Sequence, residues 1–316
     1  MKLYHYLVLV ALFVPTISLA DDQALAGGLP KVKHVIDTHI HLYDTARDGG
    51  VPWPYPEDKV IYKPHLPDEF NRVAKAAGVT GVVIVEASHL LPDNQGMLDM
   101  VEGDPFYLGL VGNVDPYRED YAEQIDKLRR DKRFVGVRAR NKVNPIDFAD
   151  KKVIESFRVL AERGLSVDIL GDGKGTAAVE QIDKLAREIP DLRIIFDHLL
   201  GFKVDGSSPP ADWVAAVKKL AENKNVYCKI SGLYQRCIAQ PASKDIATYR
   251  PALDVVWEAF GSKRLIYGSN WPCTKRSGNY QSYIDLVSAY FTERGQEACE
   301  RYFWKNASEA YGLGLE

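Results

Sequence analysis

The segment VIDTHIHLY, residues 35–43, decides the fold prediction for this chain. Its β-branched residues and its period-two alternation predict a buried strand. The alternation places Asp37, His39 and His41 on one face and apolar side chains on the other. Because both faces of a strand in a parallel sheet are normally apolar, this polar face indicates metal binding or proton transfer. A His-x-His pair is a weak signal by itself, and a hydrogen-bonded structural pair is the competing interpretation.

Apolar β-rich runs and amphipathic stretches alternate along the rest of the chain. Eight strands are predicted, at residues 34–42, 80–87, 107–114, 135–140, 166–170, 193–198, 226–231 and 265–268. Helical patterns lie between them, at 67–77, 121–130, 153–163, 179–188, 213–222, 251–260 and 283–294. Eight strand–helix units predict an α/β fold, a single-domain (β/α)8 TIM barrel over residues 34–316. No G-x-G-x-x-G turn follows the first strand, which disfavours an open dinucleotide-binding sheet.

The N-terminal segment has the order of features found in secretory signal peptides. A lysine at position 2 precedes an apolar run at residues 6–14, and Ser18-Leu19-Ala20 forms a small-x-small cleavage site. The run is shorter than the ~20 residues that span a bilayer, which disfavours a membrane anchor. We therefore expect a signal peptide at 1–20, a mature N-terminal extension at 21–33, and a secreted or periplasmic protein.

Composition excludes several classes of partner. The formal net charge is −3, and basic residues are interspersed with acidic ones, so the sequence lacks the positive patch of a nucleic-acid-binding protein. No membrane span is expected after signal cleavage, and a homo-oligomer is left open. The four cysteines form no CxxC pair, which disfavours a structural zinc site. A Cys237–Cys273 disulfide is conceivable in an oxidising compartment, but buried free thiols are expected.

Polar residues cluster at the predicted strand ends, where the loops of the C-terminal face of a barrel carry its chemistry. These residues are Glu86, Ser88, Asn113, Asp115, Arg138, Arg140, Asp168, His198, Lys229, Ser231, Asn270 and Trp271. Together with the two histidines of the first strand, they indicate a catalytic pocket. The irregular stretch at 44–67, which contains VPWPYP, is predicted to fold over the barrel mouth as a lid.

Several of these motifs together resemble one enzyme family. They are DTHIH at 37–41, Trp53-Pro54, GVTGVVIVEA at 78–87, FDH at 196–198, CKISGL at 228–233 and GSNWP at 268–272. In this order, they resemble the amidohydrolase superfamily, in its amidohydrolase-related lactonase branch. Within that branch, the motifs are similar to those of L-fuconolactonase, L-rhamnonolactonase and 2-pyrone-4,6-dicarboxylate lactonase. The resemblance implies a (β/α)8 barrel and a hydrolase that opens a small lactone, sugar-derived or related, by activated water.

The resemblance also implies roles for particular residues. His39, His41 and His198 would surround the substrate carbonyl, with position 270 beside them. A planar guanidinium suits carboxylate or oxyanion recognition, so Arg138 and then Arg140 are the expected anchors. Other substrate-binding candidates are Trp53, Glu86, Tyr234 and Trp271. The expected ligand is a small lactone or a sugar acid.

No catalytic metal is expected, because two positions that supply metal ligands in related enzymes carry other residues here. Metal-dependent members of the superfamily resemble this chain in the first strand, but they carry a carboxylated lysine at strand four or a histidine at strand five. Here Arg138 and Asp168 occupy those positions, and arginine cannot ligate a cation. If zinc were bound, His39, His41 and His198 would form a three-histidine site. A metal-dependent amidohydrolase or decarboxylase is the enzyme alternative.

One residue departs from the family pattern. The resemblance predicts Gly-Ser-Asp-Trp-Pro after strand eight, with the aspartate as general base, but this chain has Asn270. An amide can orient a water molecule but cannot accept its proton. Three interpretations follow: a different base (Glu86, Asp168 or a neutral histidine), a different ring-opening reaction assisted by His198, or a non-catalytic barrel that binds a lactone or sugar acid.

Overall fold

The strands close into a barrel. The computed structural model describes residues 28–139, 146–170 and 177–316, and within them eight parallel strands follow one another in the order β1 to β8. These are β1 Ile36–Ile40, β2 Gly81–Val85, β3 Tyr107–Gly112, β4 Phe134–Ala139, β5 Ser166–Leu170, β6 Arg193–Asp197, β7 Val226–Ile230 and β8 Leu265–Tyr267. The backbone N–H of His41 donates to Trp271 O, and that of Asn270 donates to His39 O, both at 2.8 Å. These bonds join β1 to the segment after β8, so the chain is a (β/α)8 barrel.

At least one helix follows each strand. They are α1 Pro67–Ala76, α2 Pro92–Met100, α3 Tyr121–Leu128, α4 Lys151–Glu162, α5 Ala177–Glu188, α6 Ala211–Ala221, α7 Leu233–Arg236, α8 Arg250–Phe260, α9 Tyr280–Thr292, α10 Gln296–Glu300 and α11 Asn306–Tyr311. Short 3₁₀ turns lie at His198–Gly201, Ile246–Thr248 and Cys273–Arg276, and one π-helical turn spans Arg301–Lys305.

All eight predicted strands and all seven predicted helices are confirmed, with boundaries that differ by a few residues. Helices α7, α10 and α11, each of four to six residues, were not predicted, and neither was the longer α2. Its sequence, PDNQGMLDM, contains Asn94 and Gly96 and has no continuous apolar stripe, so its pattern does not indicate a helix.

The apolar residues of each strand divide between two layers. Val82 and Ile84 of β2 pack in the large cluster between sheet and helices, whereas Val83 and Val85 belong to a second cluster inside the barrel. Residues of the C-terminal segment, such as Tyr311, join this inner cluster. The inner layer supports the polar groups at the C-terminal end of the strands.

The expected alternation of β1 is interrupted. The register between β1 and β2 shifts between Asp37 and Ile40, so the prediction that Asp37 shares a face with the histidines is wrong. The Asp37 carboxylate instead accepts hydrogen bonds from Ser269 N at 2.8 Å and from the Tyr280 hydroxyl at 2.7 Å. It therefore ties β1 to α9 and to the loop after β8.

The long segment after β1 forms the predicted lid. Its ends are joined where Tyr43 and His65 pair through two backbone hydrogen bonds of 3.0 and 2.8 Å. On one side Arg47 makes a bidentate ion pair with Asp93 of α2, at 2.8 and 2.7 Å. The lid is thus fixed at its base and along one flank.

The predicted signal peptide at 1–20 lies outside the described residues, as does most of the 21–33 extension. Within the three described stretches, no helix has the length and apolar character needed to cross a membrane. All four cysteines are buried free thiols, so Cys237 and Cys273 are not bonded to each other.

Candidate active site

A pocket of about 570 Å³ opens at the C-terminal end of the barrel. Its described wall consists of His41, Trp53, Arg138, Leu170, His198, Gln235, Arg236, Asn270, Cys273 and Arg276. These residues come from β4, from β5 and from the segments that follow β1, β6, β7 and β8. Because all strands are parallel, side chains that are far apart in sequence meet at this one end.

A buried network of charges lies beneath the pocket. The Lys229 ammonium is 2.5 Å from Asp168 Oδ2 and 3.3 Å from Asp197 Oδ1, and all three side chains are fully buried. The Tyr311 hydroxyl donates to Asp168 at 2.9 Å. Helix α11 therefore provides a hydrogen-bond donor to a carboxylate in the barrel interior.

Asp197 is the carboxylate around which the network is arranged. Besides Lys229, it faces His39 Nδ1 at 3.5 Å and Arg138 Nη2 at 3.5 Å. Burial alone would raise the pKa of Asp197, but the positive charge of Lys229 and contacts with His39 and Arg138 hold it well below its ordinary value. Asp197 is therefore ionised. Arg138 also lies 3.7 Å from Glu86 Oε1.

His39 is a neutral imidazole. Complete burial lowers its pKa well below the ordinary value, and Asp197 only partly opposes this effect. Neither ring nitrogen has a hydrogen-bond partner among the described residues. Its ring centroid lies 4.5 Å from that of His198 and 5.0 Å from that of His41. The three histidines predicted from the sequence are therefore brought together.

The hydrogen bonds of His41 fix its tautomer. Nδ1 lies 2.9 Å from the carbonyl oxygen of Val85, which can only accept a hydrogen bond. In the neutral ring, the proton is therefore on Nδ1 and the lone pair on Nε2. His198 Nδ1 lies 2.8 Å from Ser231 Oγ, so its orientation is also fixed by the neighbouring strand end.

Asn270 is held by a chain of amide hydrogen bonds. Gln235 Nε2 donates to the carbonyl of Cys273 at 2.8 Å, so Gln235 Oε1 faces Asn270 and accepts from its Nδ2 at 3.2 Å. The Asn270 backbone has φ 59°, a left-handed conformation that asparagine tolerates well. Its Oδ1 is thus the atom left to accept a hydrogen bond from a ligand or water. Gly232 makes room for this arrangement, since a Cβ there would lie 2.9 Å from Asn270 Nδ2.

We expect Asn270→Asp to lower kcat/KM by roughly tenfold. A carboxylate would face Gln235 Oε1, another acceptor, and the glutamine could turn only by losing its bond to Cys273. Asn279→Asp is the matched control, because aspartate also caps a helix and Asn279 caps α9 outside the pocket. Steady-state kinetics on both variants checks this. A rate increase in Asn270→Asp would show instead that the site lacks an aspartate base.

Two predicted substrate-binding residues are placed elsewhere. The Tyr234 hydroxyl bonds Ser282 Oγ at 3.1 Å and its ring packs on Tyr283, so it belongs to the interface with α9. Trp271 is buried against Phe70 and His65, behind the strand end. Neither residue is on the described pocket wall, because both lie four residues beyond a strand end, where strand alternation no longer sets the direction of a side chain. Their role in substrate binding stays a prediction.

The remaining candidates keep positions near the pocket. Trp53 lines it and lies edge-on to His41, with ring centroids 5.1 Å apart. Glu86 lies behind Arg138. Arg140 falls outside the described residues. The sequence analysis gave no role to Asp197, although it directly precedes His198 in the FDH motif, and it did not identify Gln235 or Arg276 as wall residues.

A candidate metal-binding cluster exists, but its composition differs from the predicted one. His39, Asp197 and His198 have potential ligand atoms within 4.8 Å of one another, whereas His41 is not in this set. Two histidines and a carboxylate suit a transition metal. However, the Lys229 ammonium and the Arg138 guanidinium already lie 3.3 and 3.5 Å from Asp197. Two fixed positive charges at the only carboxylate of the set disfavour a divalent cation there.

Fold and site together define a (β/α)8 barrel with a polar pocket at the C-terminal ends of its strands. A family profile for amidohydrolases matches residues 36–313. The chain is 30% identical over 274 residues to an L-fucono-1,5-lactonase of Burkholderia ambifaria, covering 86% of this chain and 90% of that protein. It is 23% identical to an L-rhamnono-gamma-lactonase of Scheffersomyces stipitis, covering 88% and 98% of the two chains.

A solved structure confirms the fold. An amidohydrolase from Burkholderia multivorans, crystallised with bound zinc, has a TM-score of 0.76 at 21% identity and covers 89% of this chain and 99% of its own. From the profile match and the relative at 30% identity, the protein belongs to the amidohydrolase family.

Proposed function

We propose that the protein hydrolyses a small lactone. The observation that carries the proposal is the convergence of His41, His198 and Arg138 on one pocket of about 570 Å³. Two curated relatives named for lactone hydrolysis support the reaction class. Opening a cyclic ester requires a proton acceptor for water and donors for the oxyanion, and this pocket offers both.

His41 is the proposed general base. Its Nδ1–H is engaged with Val85, so in the neutral ring Nε2 carries the lone pair, and the residue is on the pocket wall. Asp168 is fully buried against Lys229 and Tyr311, and Glu86 is directed at Arg138, so neither presents a base to the pocket in this way. Histidine is also the side chain that most often serves as a general base.

In the proposed hydrolysis, these groups account for each proton and each bond that changes. Water attacks the lactone carbonyl as His41 takes its proton, and the carbonyl electrons move onto oxygen. Arg138, held by Asp197 and Glu86, would donate to this oxyanion. Collapse re-forms the C=O bond and breaks the ring C–O bond, and the leaving alkoxide takes the proton from His41, which restores the base and gives a hydroxy acid. Asn270 Oδ1 would accept a hydrogen bond from the attacking water or from a substrate hydroxyl.

The test is hydrolysis of a lactone panel by the purified mature protein. L-Fucono-1,5-lactone, L-rhamnono-γ-lactone and simple γ-lactones are followed by acid release at constant pH, against the spontaneous rate. Saturable hydrolysis of at least one lactone is expected. Binding of a lactone or sugar acid without turnover would support the non-catalytic alternative and overturn the proposal.

We further propose that no metal ion is required, because of the positive charges beside Asp197. Dialysis against a chelator is expected to leave kcat/KM within about twofold, with less than stoichiometric metal by elemental analysis. Loss of activity that zinc restores would contradict this. His39, Asp197 and His198 would then hold the ion, and a metal-dependent amidohydrolase or decarboxylase would be favoured.

The sequence pattern at residues 1–20 supports a location outside the cytoplasm, in the periplasm or secreted. A fractionation experiment with the full chain and a variant lacking residues 1–20 tests this. The full chain is expected outside the cytoplasm and the shortened chain inside.

A further inference from the structure

A second cavity lies beside the active-site pocket, between the lid and α2. Its volume is about 630 Å³. The apolar part of its wall includes Leu42, Val51, Trp53, Ala87, Met97 and Met100. The Arg47–Asp93 ion pair also borders it. Such a mainly apolar cavity with few polar groups is typical of a small-molecule binding site.

The two cavities share a wall. Trp53 lines both, and its ring lies 5.1 Å from that of His41. Glu86 lines the second cavity, while its partner Arg138 lines the first. A ligand with its reacting carbonyl at His41 would therefore have the apolar cavity next to it, around the edge of Trp53.

The apolar character extends to the rim of this cavity. Apart from Met1, the only methionines of the chain are Met97 and Met100, and both line it. Methionine adapts its shape to varied ligands. Met100 is also 37% exposed, so the apolar wall of the cavity reaches the protein surface there.

We propose that this cavity binds an alkyl substituent of the lactone, so that the preferred substrates are alkyl-substituted lactones rather than fully hydroxylated ones. The inference rests on the proposed lactonase function and specifies its substrate class. The polar pocket would hold the ring and its carbonyl, and the cavity beyond Trp53 would remove the alkyl chain from water.

The first test compares γ-butyrolactone with γ-lactones that carry progressively longer alkyl chains. If the chain enters the cavity, kcat/KM rises about fourfold per methylene until the cavity is filled. A flat series, with γ-butyrolactone hydrolysed as well as its alkyl derivatives, would overturn the inference but leave the lactonase function intact.

Gly96 provides a substitution that fills the cavity. It lies in α2 and lines the cavity, and a Cβ at this position meets no atom within 4 Å. Gly96→Leu is expected to lower the ratio of kcat/KM for the alkyl lactone to that for γ-butyrolactone by about tenfold. Gln95→Leu is the matched control, since it adds the same side chain to an exposed position of the same helix. That control should leave the ratio unchanged.

Calorimetric titration with a long-chain 2-alkyltetrahydrofuran, a cyclic ether that cannot be hydrolysed, makes the test independent of turnover. The wild type should bind it more tightly than Gly96→Leu does, by about tenfold. If no lactone is hydrolysed but this difference in binding remains, the proposed function fails and the apolar site stands. Equal binding to both proteins would overturn the inference, whatever the kinetics show.

Discussion

Replacing Lys229 with methionine should lower the free energy of unfolding by about 3–5 kcal/mol. The ammonium is fully buried between Asp168 and Asp197, at 2.5 and 3.3 Å. Its loss leaves two carboxylates in the barrel interior without their common cation. The desolvation cost of an unpaired buried charge is much larger than the apolar packing that methionine provides. Urea denaturation followed by circular dichroism measures the change.

Two further variants test whether the loss of stability comes from the missing positive charge. Lys224→Met changes an exposed lysine of the loop before β7 and should shift stability by less than about 0.5 kcal/mol. Adding Asp168→Asn to Lys229→Met removes one of the two uncompensated charges, so part of the lost stability should return. A Lys229→Met protein as stable as the wild type would show that the network is not held together by its ammonium.

Replacing His41 with glutamine should reduce kcat by about 10²–10⁴-fold, the range that general-base catalysis contributes. Glutamine can still donate a hydrogen bond to Val85 but has no nitrogen that accepts a proton at neutral pH. We expect KM to change much less than kcat, because the arginines and Trp53 of the pocket wall are retained. Steady-state kinetics on a lactone from the panel measures both constants.

The control for His41 is an exposed histidine near the same end of the barrel. His89→Gln, in the segment between β2 and α2, should leave kcat within about twofold. Partial recovery of a His41→Ala variant by added imidazole would support a role in proton transfer. Unchanged turnover in His41→Gln would move the base to another residue, and His198 would be the next to test.

The position of Asn270 shows how local sequence and tertiary structure divide the information about this site. The sequence indicates that an amide stands where the resemblance predicts an aspartate. It does not show which way the amide faces, because that depends on Gln235 of α7, whose own side chain is oriented by the carbonyl of Cys273. Only the tertiary structure brings together these three groups, which are up to 38 residues apart.

The barrel itself is largely determined by sequence pattern. Strands β1 to β8 are readable because buried parallel strands are continuous runs of β-branched and apolar residues, and the intervening helices show apolar residues at helical spacing. Strand ends could be located to within a few residues. His41, His198 and Arg138 were therefore identifiable, since polar groups at the ends of buried strands have few structural explanations.

Side-chain direction and partners were decided by the tertiary structure alone. Tyr234 and Trp271 lie four residues beyond the ends of β7 and β8, where strand alternation no longer predicts side-chain direction, and both pack behind the pocket wall. The bulge in β1 turns Asp37 toward α9 in the same way. Asp197 gains its importance from Lys229, Arg138 and His39, which approach from three other strands. Local periodicity predicts which residues are buried. The hydrophobic effect that buries them has no preferred direction. Closure of the barrel therefore determines which buried charges come into contact.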